Sequence, residues 1–338
     1  MRSLSSATDP SIKAPKSSSG TASSETCILV NPKSFRIHAG AKLQQICSTA
    51  KAAGVSLHVV HHPEEISAAL TSHRQDPPRR LIIIGGDGTV QAALAELVET
   101  PPARLPFILV LGGGRTNFTA RDLGTHATPN YWLQRALNSP EDFRTEHRMI
   151  LSLQQQSTRK RLHGFFIAGA LVDHVIRDCH DYRTRHQGWL RTGHPSSAWR
   201  VIQLAVTGLF GRSNFLPPHM RIDAGRLGSL DQTVRILIMS SLEHQRGLIN
   251  PYDSRGSGSL RLTAVTQSAE GFWRRLPFLL RGRLGSRQTP DAGYLSGRTE
   301  RVVIQGLQSV CIDGQECEFL PHEDVLVKAG PTFSFMVP

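Results

Sequence analysis

Cysteine, aromatic side chains and long apolar runs are all scarce in this chain. Its five cysteines (Cys27, Cys47, Cys179, Cys311 and Cys317) are odd in number and scattered, with no C-x-x-C pair. That argues against a disulfide scaffold or a zinc site and points to reduced thiols. The longest apolar runs, Leu81 to Ile84 and Phe107 to Leu111, are far too short to span a bilayer. The opening residues carry no apolar core of a secretory signal, so a cytoplasmic protein is expected. Aromatics make up only 6% of the residues and no RNA- or DNA-binding motif is visible, so nucleic acid is not expected as a partner. There is neither a G-x-x-x-x-G-K-S/T stretch nor a G-x-G-x-x-G after a strand, which leaves P-loop and Rossmann readings without support.

What is present in excess is positive charge. The 338 residues hold 39 Lys and Arg against 27 Asp and Glu, a net charge of +12, and such a balance asks for an anionic partner. Nucleic acid and anionic lipid headgroups both qualify; the few aromatics and the lack of a binding motif weaken nucleic acid, and charge alone does not decide between them. The length suggests about two domains. Residues 1–24 are Ser-rich with almost no large apolar side chains, which predicts a disordered tail.

Order is expected from Thr26 to Val30, a short buried strand ending at Asn31-Pro32-Lys33-Ser34. A helix is predicted from Ala39 to Ala53, a strand from Val55 to Val60, and a helix from Pro63 to Leu70 with proline in its first turn. Next come Leu81-Ile82-Ile83-Ile84 and Phe107 to Leu111, runs suited to strands buried on both faces. Strands alternating with helices imply a parallel sheet, in which ligands bind beyond the carboxyl ends of the strands. Three of those ends carry unusual loops: Asn31 to Ser34, Gly85 to Thr89, and Gly112 to Asn117.

The stretch Gly85-Gly86-Asp87-Gly88-Thr89 reads as strand, glycine turn, helix. Glycines admit close backbone approach to a ligand, and the unpaired first amides of a helix favour phosphate. A carboxylate there repels phosphate unless it holds a metal, a proton or a hydroxyl. Asp87 is therefore read as a working group, with Gly85, Gly86, Gly88 and Thr89 as its cradle.

After Arg144 the pattern changes to short alternating runs: Met149 to Leu153, Phe165 to Ala168, Thr233 to Met239, Leu260 to Val265, Val302 to Gln305 and Ser309 to Ile312. These predict an antiparallel β domain, interrupted by helices over Ser196 to Leu209 and Ala269 to Leu280. The expected division is thus 25–150 for an α/β domain and 151–338 for a β-sandwich. Gly271 to Arg283 interleaves Phe272, Trp273 and Phe278 with four arginines. It suits either a core helix with a basic face or a segment lying on an anionic membrane.

Asn31-Pro32-Lys33-Ser34, Gly85-Gly86-Asp87-Gly88-Thr89, Gly114-Arg115-Thr116-Asn117-Phe118-Thr119-Ala120-Arg121 and Ile312-Asp313-Gly314 occur in that order. The series resembles the diacylglycerol kinase catalytic-domain family, which shares Gly-Gly-Asp-Gly with NAD kinases. The resemblance implies an α/β nucleotide-binding domain and a β-sandwich with a cleft between them. It further implies ATP and Mg2+ as cosubstrate and cofactor, and a lipid alcohol as phosphate acceptor. By position, Asn31, Gly86, Gly88, Thr89, Gly114 and Asn117 would line the nucleotide site, with Arg115 on a phosphate. Asp87 and then Asp313 would be the candidates to orient or deprotonate the acceptor hydroxyl. Peripheral contact with the inner face of the membrane follows as an expectation.

Three departures stand against the family pattern. Arg115 replaces a threonine, Gln315 replaces a glutamate that can act as base, and Ser257-Gly258-Ser259-Leu260-Arg261 lacks both acids of a metal-binding loop. The metal ligands stay unassigned on this reading. The alternatives are an NAD kinase-type enzyme, or a catalytically weak relative that binds nucleotide or lipid.

Overall fold

The computed structural model describes residues 25–37, 40–155, 157, 161–185, 216–243, 250–285 and 289–338. The expected tail over 1–24 and the expected helix over 196–209 lie outside them.

Strands β1 (Thr26–Val30), β2 (Ser56–Val59), β3 (Arg80–Gly85) and β4 (Phe107–Gly112) form a parallel sheet in the order β2-β1-β3-β4. Helices α1 (Gly40–Ala52), α2 (Pro63–Ser72), α3 (Asp87–Glu99), α4 (Phe118–Asp122) and α5 (Pro129–Asn138) connect and cover it. Because side chains alternate along a strand, each apolar run feeds two cores. Leu29, Leu81, Ile83, Ile108 and Val110 pack with Ile66, Val90 and Leu94 on one side. Ile28, Val30, Ile82, Ile84, Leu109 and Leu111 pack with Ile46 and Leu133 on the other.

The following strands pair with one another antiparallel: β5 (Arg144–Gln155), β6 (Arg161–Gly164), β7 (Phe166–Ala170), β8 (His219–Asp223), β9 (Ser229–Ser240) and β10 (Leu260–Thr266), then β11 (Tyr294–Thr299), β12 (Arg301–Gln305), β13 (Ser309–Ile312), β14 (Gln315–Glu318) and β15 (Val325–Val337). Helix α6 (Leu171–Arg185) follows β7, and α7 (Phe272–Leu279) follows β10. Strand β9 changes layer along its length. Its first residues pair with β8, its last with β7 and β10. Both layers close on one core that includes Leu153, Ile167, Ile222, Leu237, Leu262, Ile304, Val310 and Val327.

The two parts are joined by sheet as well as by loops. Residue 150, the expected boundary, falls inside β5: Ile150 packs with the α/β core, Leu151 and Leu153 with the sandwich core. Strand β15, which sequence patterning did not mark, pairs with β12 and β5 and then runs parallel to β4, with Phe335 opposite Ile108. Its Val325 and Val327 sit in the sandwich core, its Phe333, Phe335 and Val337 in the α/β core. The strand escaped notice because Gly330-Pro331 interrupts its alternation, where the register slips between Ala329 and Thr332.

Buried polar ties reinforce the junction. Arg148 Nε donates to Asp122 Oδ2 at 2.8 Å and Arg148 Nη2 to Glu146 Oε2 at 2.6 Å, joining β5 to α4. The imidazole of His163 on β6 bridges Ser152 (2.9 Å) and Glu99 at the end of α3 (3.0 Å), and Gln91 Nε2 donates to the His163 carbonyl at 2.7 Å. Arg148 and Asp122 are each under 5% exposed, so removing one partner strands a buried charge. Replacing Arg148 by Met is expected to destabilise the protein by about 3–5 kcal/mol, read as a lowered unfolding midpoint in urea or heat. A midpoint unchanged from the parent would show that the pair contributes nothing.

Candidate active site

The loops after β1, β3 and β4 meet at one edge of the parallel sheet, and the residues that mark them in the sequence mostly hold one another. Asn31 continues the ladder through its own N–H to the Ile84 carbonyl (2.9 Å). Its side chain donates from Nδ2 to Thr89 Oγ1 (3.0 Å) and accepts the Lys33 N–H on Oδ1 (2.9 Å). Asn117 sits in the left-handed region at φ 51° and is buried. Its amide closes on Gly114 from both sides, Oδ1 accepting the Gly114 N–H (2.7 Å) and Nδ2 donating to the Gly114 carbonyl (2.8 Å). Asn31 and Asn117 thus fix loop shape with the groups expected to face a nucleotide.

The glycines serve the same end. A Cβ on Gly114 would stand 2.7 Å from the Gly86 Cα, and one on Gly85 would stand 2.7 Å from Thr89 Cβ. The sequence reading had these glycines making room for a ligand; the structure uses them to bring loop against loop. Gly88 differs, since the nearest atom to a Cβ there is Gln315 Nε2 at 3.9 Å. It faces the β13–β14 turn across the junction.

Asp87 opens α3, with Gly86 in the capping position. Its carboxylate reaches sideways to the third loop, where Oδ2 accepts the Thr116 hydroxyl (3.0 Å) and Oδ1 the Thr119 N–H (3.1 Å). The Thr119 amide lies in the first turn of α4 and has no helical carbonyl of its own, so Asp87 caps a helix from a neighbouring loop. Each of its two oxygens thus has one donor, from the third loop or from the helix which that loop opens.

Asp313 approaches from the other domain. It has φ 47° in the turn between β13 and β14. Its two carboxylate oxygens accept the N–H groups of Phe165 (2.7 Å) and Phe166 (2.9 Å), and its own N–H donates to the Phe166 carbonyl (3.0 Å). Burial, and to a lesser degree the negative charge of Asp87, push its carboxyl up to about 7 against the pull of the two amides. In the fold Asp313 is a turn residue whose carboxylate is held by backbone, and the charge of Asp87 reaches it.

The late acid sought near Gln315 is not supplied by Glu316. Strand β14 pairs with β13 in unbroken register, and Glu316 receives Arg177 of α6 at 3.1 Å. In the segment matching the lost metal loop, Arg261 stands directly across from Arg298, and its Nη2 donates to the Glu243 carbonyl (2.7 Å). Burial and then Arg298 lower its affinity for a proton.

Two features were not anticipated from sequence. Phe118, which is 52% exposed, stacks on Phe166 with centroids 5.7 Å apart and planes 22° apart. Phe118 follows Asn117 and Phe166 carries an amide bound by Asp313, so this apolar pair adjoins the two acids. Three cations sit on the first and third loops: Lys33, whose Nζ lies 3.1 Å from His62 Nε2, Arg36, whose Nη1 donates to the His126 carbonyl (2.7 Å), and Arg115, whose guanidinium lies 4.1 Å over the Phe35 ring. Arg115 accordingly leans toward the first loop, at the cradle's edge.

Mg2+, which the family resemblance implies, fits this donor set in one way only. Among the described residues no group of three or more His, Cys, Asp or Glu ligand atoms gathers at these loops, and all four carboxylate oxygens of Asp87 and Asp313 already accept hydrogen bonds. That suits an ion held chiefly by phosphate oxygens and water with one or two carboxylates, the usual habit of Mg2+.

The raised Asp313 sets a pH dependence. The folded chain favours its neutral form, so its stabilising share is complete below about 4 and is lost as the pH rises through about 7. In thermal melts between pH 4 and 8, the stability difference between the parent and Asp313→Asn should change across that window. A constant difference would refute the shift.

Comparison with known proteins agrees with this geometry. Residues 25–143 match the family model of the diacylglycerol kinase catalytic domain. No curated protein matches the chain. A solved structure from Bacillus anthracis str. Sterne, described as "a putative diacylglycerol kinase", is similar with a TM-score of 0.64 at 13% identity, over 96% of this chain and 99% of that one. A second from the same source, with the same description, has a TM-score of 0.62 at 12% identity over 93% of this chain and 97% of that one. A third, described as a diacylglycerol kinase, has 0.57 at 12% identity with the same shares. At such identities the likeness is one of fold, and it extends to the antiparallel half. Residues 25–143 thus match the diacylglycerol kinase catalytic-domain model, within a chain whose described residues share the fold of those structures.

Proposed function

We propose that this protein is an ATP-dependent lipid kinase that transfers a phosphoryl group to the hydroxyl of a lipid alcohol resembling diacylglycerol. The observation carrying this reading is the meeting of Asp87, at the opening of α3, with the loop that bears Arg115 and with the apolar Phe118–Phe166 pair. A polyphosphate suits the first helical amides and Lys33, Arg36 and Arg115. The acyl region of a lipid suits the exposed phenylalanines.

Phosphoryl transfer needs alignment and charge neutralisation more than covalent help. Mg2+, when bound, neutralises charge on the triphosphate. The chain's own contribution lies with Asp87. Its carboxylate accepts the proton of the acceptor hydroxyl as that oxygen bonds to the γ-phosphorus and the bond to ADP breaks. Thr116 and Thr119 hold the carboxylate in place from the third loop and the start of α4. Asp313 sets the local charge near neutrality. An NAD acceptor would leave the Phe118–Phe166 face without a use. Gln315 beside Gly88 and Glu316 turned to Arg177 favour a second reading, a slow relative that binds nucleotide without efficient transfer.

Labelled ATP, Mg2+ and separate acceptors (diacylglycerol, NAD, a total lipid extract) distinguish these readings. Label is expected in a lipid and not in NAD. In Asp87→Asn, whose amide can still bond Thr116 and Thr119, transfer should fall by about 10²–10⁴-fold with ATP binding retained. Near-parental turnover would remove Asp87 from the chemistry, and no labelled lipid in any extract would leave the slow-relative reading.

We further propose that α7 rests on an anionic membrane. Phe272 and Leu279 are buried and pack with Val265 and Tyr294. The opposite side shows Trp273, Phe278 and Leu280, at 43%, 57% and 38% exposure, among the exposed Arg274, Arg281 and Arg283. Buried anchors fit the core-helix reading, whereas the outward aromatics among arginines fit an interface. No helix among the described residues is long and apolar enough to cross a membrane. Arg274→Glu with Arg281→Glu should weaken binding to phosphatidylserine-containing vesicles and abolish any vesicle-induced shift in tryptophan emission. Unchanged vesicle binding would refute the contact.

A further inference from the structure

At the opposite edge of the parallel sheet, away from the phosphate loops, Cys27, His58 and His73 converge. Cys27 is the second residue of β1 and pairs in register with Ser56 of β2. His58 lies two residues on, on the same face of its strand. His73 ends α2, held by its N–H to the Leu70 carbonyl (3.1 Å). The two Nε2 atoms are 3.3 Å apart and the rings meet edge-on at 85°. The Cys27 Sγ and both imidazole nitrogens lie within 4.8 Å of one another.

We propose that these three residues form a structural zinc site, with the fourth position taken by water or by Ser56, whose Oγ stands 3.1 Å from His58 Nε2. Two nitrogens about 2.0–2.1 Å from one tetrahedral ion are separated by about 3.3–3.4 Å, the spacing found here, and a sulfur at about 2.3 Å stands about 3.5 Å from each. The sulfur therefore closes on the ion by a shift of little more than about 1 Å. One thiolate with two imidazoles selects zinc over magnesium or calcium. Cys27 is 1% exposed and the two histidines half-buried, so an ion would enter from the histidine side. Burial keeps the free thiol neutral, pushed up to about 12; binding replaces its proton with the metal and releases that proton. Sequence spacing spoke against zinc because the three ligands are 31 and 15 residues apart in the chain, and only the β1–β2 pairing and the return of α2 unite them. The inference is independent of the kinase reading.

Full-length, metal-free protein titrated with Co2+ tests it. One equivalent should produce sulfur-to-cobalt charge-transfer and tetrahedral ligand-field absorption, displaced by Zn2+ with release of Co2+. Zn2+ should also raise the melting temperature. Cys27→Ala should abolish the charge-transfer band, and His73→Ala, at a half-exposed helix end that tolerates change, should weaken binding at least about 10-fold and remove the thermal shift. A parent protein without the band, or a band that survives in His73→Ala at parental affinity, would leave an ordinary His–His hydrogen bond and overturn the site. If Cys27→Ala fails to fold, the His73 variant decides alone.

Discussion

Everything at the site depends on the way one carboxylate, that of Asp87, is satisfied by a loop other than its own. Its bonds to Thr116 and Thr119 tie the start of α3 to the start of α4, so two helix openings are aligned by a single buried acid. Asn31 to Thr89 and Asn117 to Gly114 complete the network. A buried polar group without partners costs free energy, so these groups either satisfy each other in one arrangement or the loops separate. That mutual requirement favours one arrangement of the cradle before any ligand arrives, the preorganisation that the proposed phosphoryl transfer would use.

Rigidity on one side needs a fixed counterpart on the other. Asp313 is held by two consecutive backbone amides at the β6–β7 junction. Strand β15 fastens the sandwich to the parallel sheet by continuing the sheet itself. With Arg148–Asp122 and His163–Glu99 across the same junction, the two acids belong to a frame in which domain motion would break ladder hydrogen bonds. The opposed influences on Asp313, burial and Asp87 against two amides, arise from this closeness.

The missing glutamate and the lost acidic loop have different structural consequences. Gln315 keeps its place near Gly88, so the change there is one of chemistry: an amide cannot take a proton at neutral pH. Arg261 changes the electrostatics, since it puts a cation across from Arg298 where the family pattern has acids. On the proposed reading, the chemistry falls to Asp87 and Asp313.

Sequence alone determined the elements and the loops. Runs such as Leu81 to Ile84 suited strands buried on both faces, and the positions of Asn31, Asp87 and Asn117 in the loops after strands followed from where those runs stop. Local periodicity and glycine punctuation carry that information because they act over a few residues. Partnership did not follow. That Asp87 meets Thr116 and Thr119, that Glu316 turns to Arg177, that Phe118 stacks on Phe166, and that Cys27, His58 and His73 come together was decided by tertiary structure. Each depends on register and helix placement summed over the whole core, where a one-residue slip sends a side chain to the other face.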